Sequence, residues 1–222
     1  MATGFSAGSR VAVFAKAPIP GQVKTRLIPA LGEQGAAALH RALVVHALET
    51  AVGAGIGPVQ LWCAPDARHP FFAECGRRYG VTLIAQGEGD LGARMQRAFE
   101  KLLGEAGRAL LVGSDIPRMT PDYLRAADAA LAQGQDAVLG PAEDGGYVLI
   151  GLRRVGPGFF EHIRWSASDV LAVTRSRIAG LGWRHLELPA LWDVDRPEDL
   201  TREGVREVLD AIPMAPGNSP GP

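Results

Sequence analysis

Lysine is scarce in this chain: only Lys16, Lys24 and Lys101 occur among 23 Lys+Arg in 222 residues. Cysteine is scarcer. Cys63 and Cys75 form neither a C-x-x-C pair nor a framework, so no disulfide scaffold and no structural zinc site is expected. No apolar run reaches the length of a membrane span, and the opening MATGFSAGSR has neither the charged start nor the apolar segment of a secretory leader. The expectation is a cytoplasmic protein without a membrane span. A formal net charge of -1 excludes a global field that would recruit nucleic acid. Any anion site must come from local charge. Walker A, G-x-G-x-x-G and G-x-S-x-G patterns are all missing. The five histidines are scattered, with His40 and His46 at the wrong spacing for a shared metal, and all are read as structural.

What is present is an alternation of strand and helix. Val11–Ala15 reads as a buried strand, and residues 33–55 as a helix ended by glycine. Strands follow over 58–64 and 81–86, with a helix over 67–80 between them. The 91–103 helix starts behind Asp90 as N-cap. A strand over 108–115 runs into Asp115, and Thr120, Pro121 and Asp122 open the next helix. Residues 136–142 and 147–152 are β-rich runs around EDGG, a turn that favours neighbouring strands, an antiparallel pair among the options. A helix over 168–182 with Ser168 as its cap, a strand over 183–189 and a final helix over 196–212 complete the chain. The pattern predicts a single-domain, three-layer α/β/α fold with a mostly parallel, mixed sheet. The expected bounds are a flexible segment over 1–9, one domain over 10–212 and a disordered tail over 213–222.

The loops that leave strands are where ligands sit in open α/β sheets. In VFAKAPIPGQVKTRL, Lys16, Lys24 and Arg26 supply charge, Thr25 a hydroxyl, and Gly21 room for a phosphate to approach the backbone. A solvated proline turn is the equally weighted alternative. Asp115, at the end of a buried strand, suits a hard divalent cation, Mg²⁺ or Mn²⁺, or simply starts a turn before Pro117. In LWDVDRPEDL, alternation puts Asp193 and Asp195 on one face, whereas the plainer role for Asp195 is to cap the last helix. Asp144, Gly145 and Gly146 make either an acceptor loop, with Asp144 as base or hydroxyl ligand, or only a β-turn. Gly87, Gly89 and Gly92 surround a helix N-terminus that faces an anion or ribose, or they form a plain connection.

Taken together, FAKAPIPGQVKTRL, QGEGDLGARM, GSDIP, GPAEDGGYVLIGL, WS and DVDRPEDL, in that order over residues 10–205, resemble the nucleotide-diphospho-sugar transferase superfamily. That superfamily holds GT-A glycosyltransferases and small nucleotidyltransferases. Closer still, the chain resembles a bacterial family of small proteins classed as glycosyltransferases. That family is associated with radical-SAM and arsenosugar-biosynthesis gene neighbourhoods and was formerly a domain of unknown function.

The resemblance implies a GT-A-like fold with a nucleotide on the first loop and a divalent metal. Lys16, Lys24 and Arg26 match its phosphate loop, with Lys24 and Asp144 as catalytic candidates. Asp115 and Asp195 match its metal carboxylates, and Asp144, Gly145, Gly146, Trp165 and Ser166 its acceptor side. The chain departs from the pattern at Ala167, where relatives often carry Thr, and it lacks a D-x-D pair after the central strand.

Two reactions use such parts. Glycosyl transfer leaves a nucleoside diphosphate; nucleotidyl transfer attacks the α-phosphorus of a triphosphate and expels pyrophosphate. Both need cations against developing phosphate charge. The separated carboxylates lean toward nucleotidyl transfer, and the family resemblance favours glycosyl transfer, which is the expectation adopted. The expected partners are a nucleotide or nucleotide-sugar and a small-molecule acceptor, not nucleic acid. A non-catalytic nucleotide-binding module would leave the EDGG turn and the second aspartate without a role.

Overall fold

Every residue of strand β1 (Ser6–Lys16) from Val11 to Ala15 is buried, because both faces of the sheet it belongs to are covered. Val11, Val13 and Ala15 point to one core layer and Ala12 and Phe14 to the other, the two-residue period of a strand. The computed structural model describes residues 6–165 and 167–210. The strand opens at Ser6, inside the segment expected to be flexible, since Ser6–Arg10 find partners along β4 (Ala106–Val112).

A seven-stranded sheet runs in the order β3-β2-β1-β4-β6-β5-β7. It is completed by β2 (Val59–Ala64), β3 (Thr82–Ala85), β5 (Ala137–Pro141), β6 (Tyr147–Leu152) and β7 (His185–Glu187). Strand β6 runs antiparallel to both β4 and β5, and the other pairings are parallel. The EDGG turn therefore does join an antiparallel pair, and β6 is inserted between β4 and β5. One face carries α1 (Ile28–Ala54), α2 (Pro70–Tyr79) and α4 (Pro121–Ala132). The other carries α3 (Leu91–Glu105) and α5 (Val170–Gly180), with Phe99 stacked on Phe160 at 5.7 Å. Each such buried aromatic contributes about 1.5–3 kcal/mol by leaving water. The α/β/α layering expected from the sequence is the layering observed.

Three local expectations change. The N-cap of α5 is Asp169, not Ser168, whose carbonyl lies against Gly145 instead. The expected final helix is broken into a 3-10 turn (Pro197–Thr201) and α6 (Val205–Asp210), because Arg202 is extended and Gly204 has a φ of 94°. Helix α1 includes a break at Gly32 (φ 69°), so its regular body begins at Glu33. Ser166 and the tail 213–222 lie outside the described residues.

Candidate functional site

The parallel strands β1, β2, β4 and β5 end along one edge, where a cavity of about 710 Å³ opens. Its lining takes in the loop after β1, the GSD segment after β4, the EDGG turn after β5 and the DVD segment beyond β7. Gln86 holds this edge together. It is buried, and its amide donates to the carbonyls of Trp62 at 2.8 Å and Ala15 at 3.3 Å, tying β2 to β1.

Lys24 is the most constrained cation of the loop. Its Nζ lies 2.9 Å from Asp115 Oδ2 and donates to the Val194 carbonyl at 2.6 Å, with only 5% of the side chain exposed. Its backbone is left-handed (φ 48°, ψ 40°), a conformation that costs a non-glycine residue about 1–2 kcal/mol and that these contacts hold. Asp115 Oδ1 is closed to solvent and faces His40 Nδ1 at 3.6 Å, while His40 Nε2 donates to the Lys16 carbonyl at 3.0 Å. Burial works against ionising Asp115, but the Lys24 ammonium and then His40 outweigh it and hold the carboxyl well below the usual range. His40, read from sequence as structural, is thus part of the site. Its spacing from His46 carried no signal; the signal is a contact across 75 residues.

The second carboxylate, Asp195, pairs with Arg26. It does not cap the following turn. Asp199 does that, accepting from the N–H groups of Asp195 at 3.0 Å and Arg196 at 2.7 Å. The DVD segment is tied alongside Asp115 by a bond from Val194 N–H to the Asp115 carbonyl at 2.9 Å. Burial alternates along it, Trp192 and Val194 inward, so Asp193 and Asp195 both line the cavity as alternation predicted. Burial first, then the charge of Asp144, raise the Asp193 carboxyl above the usual range, and the Asp115 charge adds to this.

Asp144 lines the same cavity, exposed, with Oδ1 accepting from Gly146 N–H at 2.9 Å. Gly145 is required by packing within the chain: at φ 93° an added Cβ would stand 2.0 Å from the Ser168 carbonyl oxygen. Lys16 and Thr25 line the cavity; Gly21 does not, turning toward the Glu33 side chain. Of the second glycine loop, Gly89 reaches the cavity. Gly87 lies against the Arg97 guanidinium, and a Cβ on Gly92 would meet Phe160 O at 2.5 Å and Trp165 Nε1 at 2.7 Å. Trp165 thus packs against α3 rather than lining this cavity, and its Nε1 is buried without a partner. Arg94, unremarked in the sequence, does line it, donating to the Gly89 carbonyl at 3.0 Å.

A sheet of order 3-2-1-4-6-5-7 with one reversed strand, and cations and carboxylates gathered at its carboxyl edge, defines a nucleotide-diphospho-sugar transferase fold of the GT-A type. Residues 47–167 match the family model described as an uncharacterized protein conserved in bacteria (DUF2064), and the chain belongs to that family.

A solved structure from Desulfovibrio desulfuricans G20, described as a candidate nucleotide-diphospho-sugar transferase, is similar at 32% identity and a TM-score of 0.79, covering 92% of this chain and 95% of that one. Two more distant structures share the fold. The inositol-1-phosphate CTP transferase from T. maritima has 13% identity and a TM-score of 0.61, over 93% of this chain and 96% of its own. A nucleotidyl transferase from Methanothermobacter thermautotroptrophicus has 14% identity and a TM-score of 0.62, over 92% and 99%. No curated protein matches by sequence. Among the described residues no helix is long and apolar enough to cross a membrane.

Proposed function

We propose that this protein is a metal-dependent glycosyltransferase that moves a sugar from a nucleotide-diphosphate donor to a small-molecule acceptor, with residues 10–212 as the transferase unit. One observation carries the reading: the pairs Lys24 with Asp115 and Arg26 with Asp195 both line the cavity on the carboxyl edge of the sheet. The name borne by the 32% identical relative favours the sugar over a third phosphate.

The donor set fits Mg²⁺ or Mn²⁺. Asp115 and Asp195 are hard oxygen ligands, and among the described residues no third acidic, histidine or cysteine group completes a protein cage. An ion that keeps several waters and takes its remaining ligands from phosphate oxygens suits such a pair. When bound, it would supply charge against the leaving diphosphate. Lys24 and Arg26, released from their carboxylates, then face phosphate oxygens, with Lys16 and Arg94 beside them as further cations. Asp144 accepts the acceptor hydroxyl's proton on the exposed oxygen left free by its turn.

Nucleotidyl transfer is the second reading, favoured by the separation of Asp115 and Asp195 on different segments. A panel of nucleotide-sugars with Mg²⁺ or Mn²⁺ tests the first: release of nucleoside diphosphate, slow in water and faster with an acceptor, supports it. Acceptor-dependent pyrophosphate release from a nucleoside triphosphate would move the assignment to the second. Nucleotide binding without turnover of either kind would leave a binding module. Asp115→Asn is expected to abolish metal-dependent nucleotide binding, and unchanged binding removes Asp115 from the site.

A further inference from the structure

A second cavity, of about 540 Å³, lies between α1, α2, the Pro117–Thr120 loop and α6, and among the described residues it shares no lining residue with the first. Its size is that of a small-molecule site. The floor is apolar, built from Ala42, Val45, Met119 and Val208, while the walls carry Arg41, Arg78 and Arg118 and also Glu49, Glu74 and Glu207. Each guanidinium is held by a carboxylate: Arg41 by Glu74 at 2.7 Å, Arg78 by Glu49 at 3.3 Å, Arg118 by Glu203 at 2.7 Å. All three pairs are exposed and contribute little, and Glu203, the partner of Arg118, does not line the cavity, so an incoming anion exchanges for it at Arg118 at small cost. The Arg118 guanidinium beside an apolar floor selects a ligand with an apolar body and one carboxylate, phosphate or sulfonate group. His46 adds a buried Nε2 with no partner in the wall.

The two cavities are built on the same two pieces of chain. On α1, His40 faces Asp115 and the next residue, Arg41, faces the second cavity. After β4, Asp115 lies in the first cavity and Pro117–Thr120 in the second. That segment is pinned at both ends, by Val194 N–H on the Asp115 carbonyl at 2.9 Å and Thr50 Oγ1 on the Met119 carbonyl at 3.3 Å. A ligand gripping Arg118 and Met119 therefore bears on Asp115 through a short, tethered stretch. We propose that this cavity is an effector site for a small amphipathic organic anion and that its occupancy changes metal and nucleotide affinity at Asp115.

The test uses the full chain and 8-anilinonaphthalene-1-sulfonate, an apolar body with one anionic group, as the fluorescent probe. Binding is expected to saturate at one site, to weaken about tenfold in Arg118→Ala through loss of one charged pair, and to be abolished in Val45→Trp, which fills the floor. Thermal melts identify any variant that fails to fold, and the exposed Arg118 keeps the test decisive if Val45→Trp does not. Saturating probe is then expected to shift the Mn²⁺ dissociation constant, read from the spin resonance of the free ion, by at least about fivefold, and Mn²⁺ to shift the probe by the same factor. Probe binding indifferent to Arg118→Ala, or purely competitive with CTP, overturns the site. Intact binding without the reciprocal shift overturns the effector role. The coupling measurement rests on the metal reading of Asp115; if Mn²⁺ does not bind, that reading falls and the probe measurements alone decide the cavity.

Discussion

Lys24 Nζ lies 2.9 Å from Asp115 Oδ2, so the lysine of the loop after β1 and the carboxylate after β4 neutralise each other. On the proposed function, divalent metal and diphosphate each take one partner from this pair. Lys24→Met is expected to tighten Mn²⁺ binding about tenfold in the absence of nucleotide, by removing a competing cation, and to weaken nucleotide binding. Calorimetric titration of each ligand alone checks both halves. The same variant leaves Asp115 without its main partner, at a stability cost of roughly 2 kcal/mol, between the values for exposed and buried pairs.

Arg26 is the contrasting case. Its pair with Asp195 is exposed, so Arg26→Ala is expected to cost under about 1 kcal/mol of stability. Nucleotide affinity is expected to fall about tenfold through the lost charged hydrogen bond. A stability loss without an affinity loss would make this pair structural only.

The depressed carboxyl of Asp115 gives the acid limb its direction. The group contributes stability above its unfolded pKa of about 3.9, and that contribution disappears as pH falls through its lower folded value. The stability advantage of the wild type over Asp115→Asn is therefore expected to shrink steadily below about pH 4. Denaturant melts at stepped pH values measure it.

Asp193 works with the opposite sign. Its raised carboxyl disfavours the ionised form, so the penalty is present at neutral pH and vanishes once the carboxyl is protonated. Asp193→Asn is expected to raise the melting temperature by about 2–4 °C at pH 7 and by nothing below about pH 4.

The EDGG turn separates two neighbouring glycines. Gly145→Ala combines a φ of 93° with a Cβ 2.0 Å from Ser168 O and is expected to cost about 3 kcal/mol or more. Gly146→Ala, whose Cβ would approach only Asp144 Oδ1 at 3.2 Å, is expected to cost under about 1 kcal/mol. Parallel thermal melts compare them.

The layering was legible because β1 and β4 are apolar on both faces and the helices carry caps such as Thr120, whose side chain accepts from Tyr123 N–H at 3.3 Å. The broken final helix was not, because Pro197 and Asp199 give the same start signal to a 3-10 turn as to a helix. Asp115, Lys24 and Asp195 were visible as unusual residues at loop positions. His40 and Arg94 were hidden, since a helical histidine and a helical arginine have ordinary uses.

Local chemistry alone therefore settled the strand–helix alternation, the basic loop and the carboxylates at strand ends, all of which depend on residues close in sequence. Three things depended on pairing across the chain: the insertion of β6 between β4 and β5, the capture of Lys24 by Asp115 and Val194, and the diversion of Gly92 and Gly145 from ligand contact to packing. Contacts across 91 residues, such as Lys24 to Asp115, leave no periodic trace in sequence, because each partner is placed by a different strand of one sheet.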